Sequence, residues 1–337
     1  MHVCARRPSD SCQGRCRVRS GAWQSGAQYR NGFDKRNVGV AVRDFAQEID
    51  MEEYCGHRAV RWRDVWAAAD LLSALTSGRL LLAFQPVIAL RESGEQGAVL
   101  YDEALIRIAE GGSVNSGVIS SAESVGALER LGWVERLDFS VVGTVIGLLQ
   151  HQPGIRLGCN ISAASLRGGT EWTSLLAHLD THPDVARRLT LEITETSPIT
   201  RVTDAMALIV MLREQGVRIA IDDLGAGFTT FEFLSCCQPD VVKIDRSVVL
   251  RACDPQAPVH LLRNLVRMCA DYSACVVVEG VETEPQWEAA CIAGAHAVQG
   301  YLFACPKLQP LWLDRAPVVV QEGFGRGDQA KTLSDKA

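Results

Sequence analysis

Eight short apolar segments alternate with longer stretches of helical periodicity between residues 80 and 303. Apolar runs of this length, bounded by turn residues, indicate buried strands. Regular alternation of strands with helices predicts a largely parallel sheet covered by helices. The predicted strands cover residues 80–90, 98–108, 156–162, 189–195, 218–224, 240–245, 275–281 and 297–303.

Eight strands with intervening helices favour a TIM-like (β/α)8 barrel, and a doubly wound open sheet is the alternative. Only the seven residues 91–97 connect the first two predicted strands. A parallel crossover needs a dozen or more residues, whereas a hairpin needs only a few. We therefore predict that the second strand runs antiparallel to the first.

The two ends of the chain differ in composition from this central region. An amphipathic segment ending at Gly78 predicts a helix before the first strand, so we assign the barrel to residues 61–318. Residues 1–36 carry eight Lys and Arg against two Asp without periodicity, so we expect residues 1–60 to be a largely disordered extension. A solvated arm explains this charge, and we do not expect it to bind nucleic acid. Residues 319–337 are predicted to form a disordered tail.

The sequence contains no run of 18 or more apolar residues and no apolar signal-peptide core near residue 1. We therefore expect no membrane span. Most of the 12 cysteines lie in apolar patterns, as Cys159 and Cys269 do, which is typical of buried thiols in a reducing compartment. These observations predict a cytoplasmic protein.

Polar residues interrupt most of the predicted strands near their carboxyl ends, which is where barrel proteins place their active sites. Any one of them could be a helix cap or a satisfied buried group, but a shared site better explains the repetition. Clustered carboxylates without His or Cys favour the hard cations Mg²⁺ or Mn²⁺, and a lysine among them could hold a water molecule or a phosphate. The residues are Glu103, Asn160, Glu192, Asp222, Asp223, Lys243, Asp245, Glu279 and Gln299.

These residues lie within eight ordered motifs between about residues 72 and 310. The motifs are Phe84-Gln85-Pro86, Glu103-Ala104-Leu105 followed by Arg107, Asn160-Ile161-Ser162, Glu192-Ile193-Thr194-Glu195, Asp222-Asp223-Leu224-Gly225-Ala226-Gly227, Lys243-Ile244-Asp245, Glu279-Gly280-Val281-Glu282 and Gln299-Gly300-Tyr301-Leu302-Phe303. Together they resemble the EAL family of cyclic di-GMP phosphodiesterases. The resemblance implies a (β/α)8 barrel with one antiparallel strand, which hydrolyses cyclic di-GMP to the linear dinucleotide pGpG.

The resemblance also implies a role for each motif residue. Two ions, Mg²⁺ or Mn²⁺, would be bound by Glu103, Asn160, Glu192, Asp222 and Asp223. The catalytic group would comprise Lys243, Glu279, Gln299 and Glu195. Within it, Lys243 would position or deprotonate the attacking water, and Glu195 would brace the loop that begins at Asp223. The substrate would be held by Gln85, Arg107 and Asp245.

Some positions depart from the family pattern. Leu224 stands where the family usually has Phe, Phe228-Thr229-Thr230 replaces Tyr-Ser-Ser, and Ile108-Ala109 replaces a Trp. These departures keep open an alternative, a catalytically weak EAL module that acts as a cyclic di-GMP receptor or protein-interaction domain. The filled catalytic positions favour an enzyme. Barrels of this family often dimerise through helices near the Asp223 loop, so the resemblance also implies a homodimer.

Overall fold

The computed structural model describes residues 62–91, 93–109, 118–194, 201–226, 231–254, 260–314 and 316–323. The N-terminal extension predicted over 1–60, together with Glu195 and residues 228–230, lies outside these ranges. Among the described helices, none has the length and apolar character needed to cross a membrane.

The described elements follow the predicted alternation. The strands β1 to β10 cover Leu80–Leu90, Gln96–Ala109, Val118–Ser120, Leu157–Ser162, Leu189–Thr194, Arg218–Leu224, Val241–Ile244, Cys275–Val278, Ala297–Val298 and Val318–Val319. The helices α1 to α10 cover Trp62–Thr76, Ala122–Leu131, Val134–His151, Thr170–Thr181, Pro183–Ala186, Val202–Glu214, Phe231–Cys237, Arg246–Ala252, Leu261–Ala270 and Glu284–Ala293. A short 3-10 turn, Ala163–Ser165, follows β4.

Eight of these strands close into a barrel in the order β1, β2, β4, β5, β6, β7, β8 and β9. Strand β1 pairs antiparallel with both of its barrel neighbours, β2 and β9, and each of the other neighbouring pairs in the barrel is parallel. The predicted barrel and the antiparallel relation of its first two strands are confirmed. The short connection between β1 and β2 gives this result, because it leaves no room for a crossover.

The hydrophobic interior consists of two main parts. The larger part lies between the barrel strands and the surrounding helices, and it includes Ile161 of β4 and Val145 of α3. The smaller part takes one residue from each of six barrel strands, which can meet only inside the barrel. Its members are Val87, Tyr101, Ala220, Val241, Val277 and Ala297. The barrel interior is therefore filled by side chains and is not a pore.

The carboxyl-terminal boundary of the barrel lies further along the chain than the sequence analysis placed it. Strand β10 pairs antiparallel with β1, and the backbone N–H of Val320 donates to the Leu80 carbonyl at 2.8 Å. The N–H of Gly323 donates to Ser140 Oγ at 3.0 Å. The prediction of a disordered tail from residue 319 is wrong for residues 319–323, because the Val318-Val319-Val320 run buries its side chains against the barrel. Residues 324–337 lie outside the described ranges.

Candidate active site

The candidate site residues lie one layer above the inner hydrophobic cluster. Alternate residues of a strand point to the same face of a sheet. Two residues beyond Tyr101, Ala220, Val241, Val277 and Ala297 lie Glu103, Asp222, Lys243, Glu279 and Gln299. On the antiparallel β1 the direction reverses, so Gln85 lies two residues before Val87. The alternation that fills the barrel with apolar residues therefore also brings the polar side chains together at its carboxyl end.

The strand register brings the remaining site residues to the same level. Asn160 of β4 pairs with Glu192 of β5, and Glu103 pairs with Gly158. Gly158 is required by the crowding here, because a Cβ at this position would lie 2.3 Å from Glu192 Oε1. Seven of the predicted residues line a cavity of about 350 Å³ at the carboxyl ends of the strands. Those lining it are Gln85, Glu103, Asn160, Asp222, Asp223, Glu279 and Gln299.

Lys243 is the centre of this cluster. Its Nζ lies 3.0 Å from Glu103 Oε2, 3.1 Å from Asp222 Oδ1 and 2.7 Å from Glu279 Oε1, and it also donates to Glu192 Oε2. The Lys243 side chain is only 1% exposed. Burial opposes its charged form, but the four carboxylates outweigh burial and raise the pKa of Lys243 well above its usual value.

Glu103 is the best-satisfied carboxylate. It accepts hydrogen bonds from Asn160 Nδ2 at 2.8 Å and Gln299 Nε2 at 2.7 Å, in addition to the one from Lys243. Burial alone would raise the pKa of Glu103, but these three donors outweigh it and lower the pKa. Gln85 supports this arrangement, because its amide donates to the Ala304 carbonyl at 2.9 Å while its Oε1 lies 3.4 Å from Gln299 Nε2.

The other carboxylates are less well compensated. Burial, followed by neighbouring charges, raises the pKa of Glu192 to about 8 and that of Asp223 to about 7. The pKa values of Asp222 and Glu279 are also raised, with burial as the largest cause. The positive charge of Lys243 alone therefore does not compensate the surrounding carboxylates.

The donor set fits a hard divalent cation. Oxygen atoms of Glu103, Glu192 and Asp222 lie within 4.8 Å of one another, and so do those of Asp222, Asp223 and Glu279. Asn160 Oδ1 and Glu192 Oε1 are buried without a hydrogen-bond partner. Buried oxygens are normally paired, so these two atoms are free to act as ligands. Oxygen donors without imidazole or thiolate favour hard cations over zinc.

Asp222 and Asp223 both reach the cavity because the chain turns at the second of them. Asp223 has a φ of 56°, the left-handed region that non-glycine residues rarely adopt. Gly225 follows with a φ of 99°, and the register between β6 and β7 shifts between Ile221 and Leu224. The strand alternation is broken here, so the two adjacent carboxylates are not sent to opposite faces.

Two predicted substrate-binding residues are not among the described residues that line the cavity. Arg107 donates from Nη1 to the carbonyl of Ile106 at 2.8 Å. The Asp245 side chain caps α8 by accepting from the Ser247 N–H at 2.9 Å. Glu195, the predicted brace of the Asp223 loop, lies outside the described ranges.

The cavity mouth holds residues to which the sequence analysis gave no role. Arg246 donates to Glu282 at 2.8 Å, and the Tyr301 side chain is exposed beside them. Gly280 has a φ of 62°, and a Cβ there would lie 2.4 Å from Arg246 Cγ. Arg246 was detectable only as the residue that follows Lys-Ile-Asp, because its contact with Gly280 depends on the tertiary structure.

The fold and the site define a (β/α)8-barrel protein with an oxygen-rich, metal-type site at the carboxyl ends of its strands. The family model described as "EAL domain" matches residues 68–306, and the chain belongs to this family.

Curated proteins from two bacteria match most of this chain. The chain is 29% identical over 265 residues to Cyclic di-GMP phosphodiesterase NbdA of Pseudomonas aeruginosa, a match covering 77% of this chain and 31% of the relative. It is 30% identical over 251 residues to Oxygen sensor protein DosP of Escherichia coli, covering 73% of this chain and 30% of that protein. The matched region thus spans about a third of the length of these relatives.

Solved structures show the same fold. Klebsiella pneumoniae BlrP1, in a complex with calcium and cyclic di-GMP, is 27% identical with a TM-score of 0.53, covering 68% of this chain and 56% of that one. An EAL domain protein from Listeria monocytogenes is 22% identical with a TM-score of 0.60, covering 74% of this chain and 95% of that one. The Listeria likeness supports the fold alone.

Proposed function

We propose that the barrel is a metal-dependent phosphodiesterase that hydrolyses cyclic di-GMP to linear pGpG and so lowers the level of this second messenger. The observation that carries the proposal is the convergence of four carboxylates on the buried Lys243. With Asp223, five carboxylates surround the single Lys243 ammonium, so acidic groups are in large excess at the site. A substrate with two phosphates could enter only if cations offset this charge.

The proposed cations are two Mg²⁺ or Mn²⁺ ions, bound by Glu103, Asn160, Glu192, Asp222 and Asp223. The two acidic groups that share Asp222 support two ions rather than one. When bound, such ions would polarise the phosphoryl oxygens, activate a water molecule and stabilise the attacking and leaving oxygens of an in-line displacement. Calcium in the BlrP1 complex with cyclic di-GMP is consistent with a divalent-cation site.

Within this site, Lys243 would position or deprotonate the attacking water. The four carboxylates that contact its Nζ fix the direction of this side chain. Gln299 would fix the direction of the Glu103 carboxylate through its 2.7 Å hydrogen bond. Glu279, which contacts Lys243 at 2.7 Å, would complete the catalytic group. We also propose that Glu195 braces the loop after Asp223.

Substrate contacts would come from Gln85, Arg107 and Asp245, as the family resemblance implies. Gln85 lines the cavity directly. Arg107 is half-buried and lies close enough to Tyr301 and Glu103 for their charges to influence its pKa, which burial lowers. A change in its side-chain conformation would have to release the Ile106 carbonyl before the guanidinium could bind a phosphate in the cavity. The role of Asp245 would be indirect, through the α8 cap.

We further propose that the protein acts in the cytoplasm as a homodimer. The free cysteines among the described residues suit a reducing compartment. Helix α6 presents Val210 and Met211 to solvent, each more than 40% exposed. This helix directly precedes β6, which carries Asp222 and Asp223. Burial of this face against a second copy would remove apolar surface from water.

The competing function is a catalytically weak receptor or interaction module. The observation that favours it is the leucine at position 224, where the family usually has Phe. Leu224 is buried at the end of β6, next to Asp222 and Asp223. Such a module would bind cyclic di-GMP without turnover.

One experiment separates these functions. Purified protein is incubated with cyclic di-GMP and Mn²⁺ or Mg²⁺, the products are resolved by chromatography, and binding is measured by calorimetry. Accumulation of pGpG supports the phosphodiesterase. Binding without product supports the receptor, and neither binding nor product contradicts both. Glu95→Ala, an exposed change remote from the cavity lining, is the matched control.

A further inference from the structure

Asp138 is a buried carboxylate that lies outside the acidic cavity. It belongs to α3, is 6% exposed, and packs against the end of β4. Its Oδ2 accepts a hydrogen bond from the backbone N–H of Ser162 at 3.0 Å and another from Ser165 Oγ at 2.7 Å. These two serines bracket the turn through which the chain leaves β4, two residues after Asn160.

A second contact secures the same turn. Trp172 of α4 donates from Nε1 to the Ser165 carbonyl at 2.8 Å, and its ring meets Phe139 edge to face with centroids 5.0 Å apart. Ser162 and Ser165 are themselves buried. The turn is therefore held between α3 and α4, and Asp138 accepts the hydrogen bonds that join it to α3.

We propose that Asp138 is a positioning residue for the candidate metal site, acting through Ser162 and Ser165 to hold Asn160 in place. The proposal rests on the proposed function for the role of Asn160 as a ligand. It explains why a carboxylate lies here, because one oxygen satisfies two buried donors at once. An apolar side chain would leave the Ser162 N–H and the Ser165 hydroxyl unpaired. Outward movement of the turn would relieve that cost and would carry Asn160 with it.

The geometry of Asn160 makes the site sensitive to such a movement. Its Nδ2 donates to Glu103 Oε1 at 2.8 Å, which leaves Oδ1 unpaired in the buried site. Displacement of the β4 end would break the hydrogen bond to Glu103 and turn Oδ1 away from the other oxygens. Groups that orient metal ligands commonly contribute about 10- to 100-fold to metal affinity.

The test compares Asp138→Leu with Asp138→Asn and Thr144→Val. The asparagine keeps an oxygen that can accept from both serines. Thr144 is a matched control, because it is a buried residue of the same helix whose Oγ1 accepts from the Gln321 N–H at 3.0 Å, away from β4. Mn²⁺ affinity is measured from the electron paramagnetic resonance signal of the free ion, and kcat and KM are measured with cyclic di-GMP.

We expect Asp138→Leu to weaken Mn²⁺ binding by about 10-fold or more. Asp138→Asn should restore most of the affinity, and Thr144→Val should leave it within about twofold of wild type. At limiting Mn²⁺ the leucine variant should lose kcat with little change in KM, and excess Mn²⁺ should recover part of the rate. Ser165→Ala removes one of the two hydrogen bonds and should give a smaller loss, so it replaces the leucine variant if that protein does not fold.

Hydrogen exchange of the backbone amides in residues 160–166 tests this proposal independently of the proposed function. Asp138→Leu should lose protection in this segment, and Thr144→Val should not. Wild-type Mn²⁺ affinity in Asp138→Leu, or equal losses in Asp138→Leu and Thr144→Val, would overturn the positioning role. If the wild-type protein binds no Mn²⁺, the proposed metal-dependent function is contradicted. The hydrogen-exchange result alone then tests whether Asp138 holds the turn after β4. Unchanged protection then overturns the role of Asp138, and a loss confined to this turn supports it.

Discussion

Asp222 and Asp223 are consecutive residues, yet both line the cavity at the end of β6. The positive φ of Asp223 makes this possible, because it interrupts the regular strand geometry that would have sent the two side chains to opposite faces. A strained backbone and two adjacent carboxylates, of which Asp222 is buried and Asp223 half-buried, both cost stability. Their coexistence at the carboxyl end of a barrel strand is best explained by a ligand that binds both.

The first prediction concerns Asp222 and the metal. Asp222→Asn preserves the shape of the side chain but removes one charge from both acidic groups of the site. Mn²⁺ should raise the melting temperature of the wild-type protein, because it binds only the folded state. The rise should shrink or vanish in Asp222→Asn, as measured by melting curves with and without Mn²⁺. An equal rise in the two proteins would show that Asp222 binds no metal.

Sequence patterns could predict the positions of the barrel strands, because a strand buried on both faces is a short apolar run. They also predicted that β2 runs antiparallel to β1, because the connection between the two strands is too short for a parallel crossover. Helix α4 is harder to recognise, although its buried Trp172, Leu175 and Leu179 have helical spacing. The surrounding polar residues of α4 obscure that pattern.

The candidate site likewise contains residues that the sequence predicted and residues that it did not. A polar residue interrupting most of the apolar strands was visible, so the acidic part of the cavity lining, including Glu103, Asp222 and Glu279, could be predicted from the chain. Asp138 was not, because a single acidic residue in an amphipathic helix is typical of a solvated position. Its burial depends on Ser162 and Ser165, which are more than 20 residues away in sequence. Contacts of this kind have no local signal.

The second prediction concerns Glu103. Glu103→Gln should abolish hydrolysis of cyclic di-GMP, because it removes the charge of the carboxylate that accepts from Asn160, Gln299 and Lys243. The barrel should remain folded, since the change preserves volume and a hydrogen-bonding oxygen. The measurements are product chromatography and circular dichroism. Wild-type turnover in this variant would show that Glu103 has no part in the chemistry, whereas an unfolded variant would assign it a structural role.

The third prediction concerns the choice of ion. Activity should appear with Mg²⁺ or Mn²⁺ and disappear with excess chelator, because the five clustered carboxylates need divalent charge to admit an anionic substrate. Ca²⁺ should inhibit, since it prefers more ligands at longer distances. Initial rates with each ion, alone and in competition with Mn²⁺, provide the measurement. Full turnover in excess chelator would contradict the metal-dependent proposal.

The fourth prediction concerns the pH dependence of stability. Burial raises the pKa of Asp138 from its usual 3.8 to about 7, despite the hydrogen bonds from Ser165 and Ser162. Between these two pH values the folded protein binds a proton that the unfolded chain has released. The contribution of Asp138 to the free energy of unfolding should therefore be greatest below pH 3.8, fall as pH rises to about 7, and stay constant above it.

The side chain introduced by Asp138→Asn cannot ionise, so its contribution to the free energy of unfolding should not fall as pH rises. Relative to the wild type, the melting temperature of this variant should rise by several degrees between about pH 4.5 and pH 7.5 and then level off. Melting curves in chelator, which removes the influence of bound metal, provide the measurement. Thr144→Val, which changes no titratable group, should differ from the wild type by the same amount at every pH. A constant difference between Asp138→Asn and the wild type across this range would mean that Asp138 titrates at its usual pKa, and that burial is offset by the two serine donors.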